Sequence, residues 1–125
     1  MRRVLLLIAA LVLSSHALAQ HTHGDHKGPN GGQMRDVAGV EAELLASGNS
    51  ITVNIFDDND KPVSTKGFSG AALVVDAADR ETVALIPFGD NSLKATAKKP
   101  INAGSTIAVT LKTATGRSGQ AKFRQ

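Results

Sequence analysis

Three histidines lie within six residues of one another, His21, His23 and His26, and Asp25 stands among them in the stretch "QHTHGDHKGPNGG" at positions 20–32. Neutral imidazole is the commonest protein ligand for Zn, Cu(II) and Ni, and a carboxylate can complete such a set. In an extended chain His21 and His23 point to the same side, about 6.6–7 Å apart, and His26 can fold back across Gly24. One ion is then within reach of all three after small dihedral adjustments. Cu(I) would prefer sulfur, yet beyond the leader Met34 is the one thioether and the chain has no cysteine. A divalent ion is therefore the expected occupant, Cu(II) or Zn first. Because imidazole must be neutral to coordinate, affinity is expected to fall as pH drops below about 6.5.

The competing reading of the same stretch is a polar spacer. Residues 20–32 are rich in Gly and polar side chains and have no apolar periodicity, as expected of a flexible arm ahead of a folded domain. Within it, Gly28, Pro29, Gly31 and Gly32 have a separate structural task, forming the corner that leads into the first strand.

The residues before the arm say where it would work. Arg2 and Arg3 open the chain, Val4 to Leu13 is an unbroken apolar run, and Ala17-Leu18-Ala19 places small residues where a signal peptidase reads them. This predicts a signal peptide over 1–19, cut after Ala19, and a periplasmic destination. A cut one residue later would make His21 first and His23 third, an arrangement that chelates Cu(II) through the terminal amine. That cut would put Leu18 at a position favouring small residues, so it is not expected. A run this short does not match the roughly 20 helical residues that span a bilayer, and no later segment is apolar enough either, so no membrane span is expected after cleavage.

Charge and composition narrow the function classes. The chain carries 14 Lys and Arg against 11 Asp and Glu, but two of the arginines lie in the leader, so the remainder is close to balanced. The basic residues are scattered, without aromatic interleaving, and nucleic acid is not an expected partner. The absence of Trp and Tyr argues against an aromatic sugar platform. The acidic turn Asp57-Asp58-Asn59-Asp60 lacks the glycine and the bidentate Glu of a calcium loop and reads as a solvated hairpin turn, as do Asp76, Asp79, Arg80 and Glu81. Hydrolytic chemistry would need a nucleophile beside a histidine, and every histidine beyond the leader lies in the arm, so no enzyme is expected.

The elements behind the arm alternate with period two. Ile51, Val53 and Ile55 alternate with Thr52 and Asn54. Leu93, Ala95 and Ala97 alternate with Lys94 and Thr96, and Ile107, Val109 and Leu111 with Ala108 and Thr110. Val40–Ala46, Ala71–Val75, Thr82–Ile86 and Gly119–Phe123 are further strand candidates, and "SGN", "DDNDKP", "DAADRE", "FGDNS", "NAGS" and "ATGRSG" punctuate them as turns. "VEAELLA" lacks an N-cap and is flanked by glycines, so it too reads as a strand. About seven short strands over residues 33–125 predict an all-β fold, a single antiparallel sandwich of immunoglobulin-like type, with a small Greek-key barrel as the competing architecture.

The segment "HKGPNGGQMRDVAGVEAEL", the turn "DDNDKPV" at 57–63 and "PFGDNSLKA" at 87–95 together resemble an N-terminal module of periplasmic adaptor subunits of heavy-metal efflux pumps of the resistance-nodulation-division class. That module opens on His-Gly-Pro-His-Gly-Gly, runs into a strand ending in Glu-Leu, and continues to an acidic turn with Lys-Pro-Val and a Pro-x-Gly-Asp turn. The resemblance covers about His26 to Phe123 and includes Glu43-Leu44. Here Lys27 is inserted after the histidine, Asn30 stands in place of the second histidine, and the helical hairpin and lipoyl-like domains of a full adaptor have no counterpart. The resemblance implies a free-standing periplasmic relative of the metal-handling module that serves efflux or resistance components. The alternative of another class is a non-catalytic interaction module that docks a protein through an edge strand, with the histidine segment as spacer.

Overall fold

The computed structural model describes residues 26–125, and no helix occurs among them. Eight antiparallel strands follow one another: β1 (Gln33–Val37), β2 (Val40–Ser47), β3 (Ser50–Phe56), β4 (Ser69–Asp76), β5 (Asp79–Phe88), β6 (Ser92–Thr96), β7 (Thr106–Lys112) and β8 (Ser118–Arg124). The alternating runs of the sequence lie in these strands, except that Ala97 falls one residue past the end of β6, and "VEAELLA" lies within β2. Their apolar sets face one interior: Ile51, Val53, Ile55, Leu93, Ile107, Val109 and Leu111 are fully buried, with Phe123 among them.

The strand absent from the expected seven is β1. On its inward face stand Gln33, Arg35 and Val37, of which Val37 alone joins the core, while Met34 is buried on the opposite face. Period-two alternation of apolar residues is therefore missing from β1, although its pairing with β2 is regular from Gln33↔Leu44 to Val37↔Val40. Cross-strand bonding to a strongly patterned neighbour, not its own pattern, makes it a strand.

The strands run in the order β1-β2-β3-β6-β5-β4-β7-β8. β5 belongs to both halves, since Arg80 to Leu85 pair with β4 and Ile86 to Phe88 pair with β6. The result combines the two packed faces of a sandwich with the shared strand of a barrel. The ends of the order also approach: the backbone N–H of Arg124 in β8 donates to Gln33 Oε1 in β1 at 3.0 Å. Tight turns set the register of the hairpins. Ala38 and Gly39, both at positive φ (52° and 81°), join β1 to β2, the mirror-image turn that matches strand twist.

Candidate functional site

One cross-strand row organises the region where the arm meets the sandwich. Met34, Glu43, Asn54 and Ser92 are register partners across β1, β2, β3 and β6, and their side chains lie on the face away from the main core. This face is covered, because the corner Gly28–Gly32 folds over it. Glu43 is 0% exposed and Met34 5%. A carboxylate sealed from water needs donors, and Glu43 has four. The Asn30 backbone N–H and the Gly32 backbone N–H donate to Oε2 at 2.8 and 3.1 Å. The side-chain amides of Asn30 and Asn54 donate to Oε1 at 2.8 and 3.2 Å. Asn54 is oriented in turn by the Ser92 hydroxyl, which donates to Asn54 Oδ1 at 2.5 Å. Burial pushes the Glu43 carboxyl up, but the amides of Asn30 and Asn54 and the N–H groups of Asn30 and Gly32 outweigh it and hold the group below its ordinary value of 4.5.

The corner is built for this approach. A Cβ at Gly28 would lie 2.4 Å from Glu43 Oε2, and one at Gly32 would lie 2.4 Å from the Leu44 carbonyl oxygen. Gly28 N–H donates to the Gly32 carbonyl at 2.7 Å, and Gly31, at φ 81°, reverses the chain between them. The corner expected at Gly28, Pro29, Gly31 and Gly32 is thus present, and the closeness of Glu43 is the reason it needs glycine.

Of the expected metal ligands, His26 is placed by the structure, and His21, His23 and Asp25 lie outside the described residues. The His26 side chain is exposed while its carbonyl accepts from Met34 N–H at 2.9 Å, and Lys27 makes a bridge to Gln33. The backbone that carries the last histidine is therefore bonded to β1. Among the described residues no three His, Asp or Glu side chains gather in metal-binding geometry.

The acidic turns behave as capping structures. Asp57 Oδ1 accepts from Asn59 N–H at 2.8 Å and Lys61 N–H at 3.0 Å, the side-chain mimic of a backbone turn expected there. These two bonds hold the Asp57 carboxyl below its ordinary range. The nearby Glu41 differs: burial first, followed by the neighbouring carboxylates of Asp60, Asp36 and Asp58, raises its pKa.

Sequence reasoning did not identify Glu43 as the centre of the corner. The signal available was an acidic residue at an outward position of β2 flanked by the buried Ala42 and Leu44, but that pattern equally describes a solvated face. Its donors, Asn30, Gly32 and Asn54, stand 11–13 residues away along the chain. No protein-family model, curated protein or solved structure matches this chain.

Proposed function

We propose that this protein captures a divalent heavy-metal ion, Cu(II) or Zn, in the periplasm through His21, His23 and His26 with Asp25 assisting, and serves an efflux or resistance system. The observation that carries this reading is the placement of His26. Its imidazole is exposed, yet its backbone is bonded to β1 through Met34 and its neighbour Lys27 bridges Gln33. One ligand held on a folded support lowers the ordering entropy that a wholly unsupported set would lose on binding. Glu43 has no part in coordination, because its oxygens are already occupied by four donors.

Calorimetric titration of the exported protein with Cu(II), Zn(II) and Ni(II), beside a variant carrying His21→Ala, His23→Ala and His26→Ala, tests the reading. Binding tighter than about 1 μM that the triple variant loses is the expected result. Equal binding by the variant, or none at that strength by the parent, would sink it.

A second reading, a protein-docking module with the arm as spacer, is favoured by a different feature. Ile86 and Phe88 on β5 are 63% and 56% exposed, and Lys94 Nζ stands 4.0 Å over the Phe88 ring. Large apolar side chains exposed together are common where partners dock. On this reading Ile86→Ser with Phe88→Ser removes partner binding, while the histidine substitutions leave it intact.

A further inference from the structure

The corner Gly28–Gly32 is a three-residue hairpin loop, and its bonds identify its type. Gly31 N–H donates to the Gly28 carbonyl at 2.9 Å and Gly28 N–H to the Gly32 carbonyl at 2.7 Å, while Lys27 bridges Gln33. Pro29 and Asn30 are the central residues of the turn that the first bond closes. Asn30 is not among the residues at positive φ, so the turn is of type I, and Gly31 at φ 81° supplies the left-handed residue that follows it. The pair that fits this turn is also chemically special. Of the six asparagines in the chain, only Asn30 precedes a glycine.

Asn-Gly is the pair most prone to lose side-chain ammonia, because glycine has no side chain to obstruct attack by its own nitrogen. The Gly31 nitrogen loses its proton and bonds to Asn30 Cγ, the Cγ–Nδ2 bond breaks, and the amide nitrogen takes up that proton and leaves as ammonia. Water then opens the five-membered imide at either carbonyl, so aspartate or isoaspartate replaces asparagine. Ring closure needs the Gly31 nitrogen eclipsed with Asn30 Cβ, whereas a type I turn holds its third residue at ψ near 0°, about 120° of rotation away. Three bonds oppose that rotation. The Asn30 backbone N–H and side-chain amide both donate to Glu43 at 2.8 Å, and the Gly31 N–H, whose proton must leave, is donated to Gly28. Both residues are exposed, so water reaches the pair once the turn opens.

We infer that Asn30 is a latent deamidation site, kept unreactive while the corner is closed on Glu43 and converted when the corner opens. The product cannot take the same place. Asn30 Nδ2 is a donor 2.8 Å from Glu43 Oε1, so a carboxylate in its position would set a second anion against one already sealed from water. An isoaspartyl link would also lengthen the backbone of a turn that has only three residues. Glu43 keeps its bonds to Gly32 N–H and the Asn54 amide, which hold it where it is, and the loop is the part that lifts. A reversible opening thereby becomes permanent. The segment ahead of the loop, tied to β1 through the His26 carbonyl and Lys27, then loses the turn that folds it back onto that strand.

Peptide mapping by mass spectrometry, during incubation of the exported protein in weakly alkaline buffer, tests this. Conversion at Asn30 is expected to run at least about tenfold slower in the native protein than in the same chain unfolded in urea, because only the open fraction reaches the reactive geometry. Gly32→Ala, which loosens the corner and leaves the Asn-Gly pair intact, should speed conversion at least about threefold over the native parent. The effect of the product is read on Asn30→Asp beside Asn30→Ala. Both lose the side-chain donor and only the first adds charge. At pH 7 the Gly32 amide should therefore exchange its hydrogen faster in Asn30→Asp, and the urea midpoint should be lower, with the difference shrinking toward pH 3 as the carboxyls protonate. Equal conversion in native and unfolded protein, a Gly32→Ala rate no faster than the parent's, or an Asn30→Asp variant as well protected at Gly32 as Asn30→Ala would each overturn the proposal.

Discussion

Glu41 and Glu43 stand two positions apart on β2, on the same outward face, and their environments drive them in opposite directions. Glu43 meets amides, whereas Glu41 meets the carboxylates of Asp60, Asp36 and Asp58. A folded pKa held below 4.5 means that Glu43 stabilises the fold above that pH, and its contribution is lost as pH falls through the lower folded value. Glu43→Gln puts an amide among donors and leaves at least one of them unmatched, so a loss of about 1–3 kcal/mol is expected at pH 7. Urea denaturation at pH 7 and at pH 3 checks this, with the difference from the parent shrinking at the lower pH. For Glu41 the sign reverses. Its folded pKa lies above 4.5, so no cost arises below that value and stability falls as pH rises through the folded value. Glu41→Gln is expected to stabilise at pH 7 by less than about 1 kcal/mol, as the group is partly exposed, and to be neutral near pH 3. Neither role was legible in the sequence, where both residues read as polar positions of one strand. Direction depended on which side chains the register and the corner brought opposite them.

At the scale of elements, the corner and the turns were legible because glycine and turn residues act locally. How tightly each position is constrained was not. A side chain at Gly31 would meet nothing within 4 Å, but the residue sits at φ 81°, so Gly31→Ala is expected to cost only the left-handed backbone penalty, about 1–2 kcal/mol. Gly32→Ala would set a Cβ 2.4 Å from the Leu44 carbonyl and 2.8 Å from Glu43 Cγ, and is expected to cost more, by separating the corner from β2. Thermal melts of the two variants rank them. The β4–β5 turn presents the inverse case, since Ala77 occupies φ 35°, a conformation that an L side chain rarely adopts. Ala77→Gly is expected to raise stability by up to about 1 kcal/mol, measured as a shift in urea midpoint at constant slope.

For the molecule as a whole, the open question in the sequence was how the two ends of the strand order relate. They meet: a Cβ on Gly119 of β8 would lie 2.5 Å from the Ala38 backbone nitrogen beside β1, and Arg124 N–H bonds Gln33. Gly119→Ala is expected to push β8 from β1 and to accelerate hydrogen exchange at Arg124 before it affects the amides of β3. Substituting His21, His23 and His26 by alanine should leave the melting temperature nearly unchanged, because His26 enters the fold through its backbone carbonyl. A large fall would show that the arm contributes to folding.

The sequence by itself determined the all-β class, most of the strands, the hairpin turns and the glycine corner. Each of these depends on period-two patterning or on local backbone preference, and both are written in consecutive residues. Tertiary structure alone decided that β1 is a strand, that β5 serves both halves, that Glu43 is sealed beneath the corner and that the Ser105 hydroxyl is buried without a hydrogen-bond partner among the described residues. Those facts depend on partners such as Asn30 for Glu43 and Asp76 for Asn102, 13 and 26 residues away. Burial and hydrogen bonding at such separations are properties of the assembled sheet, so no local pattern carries them.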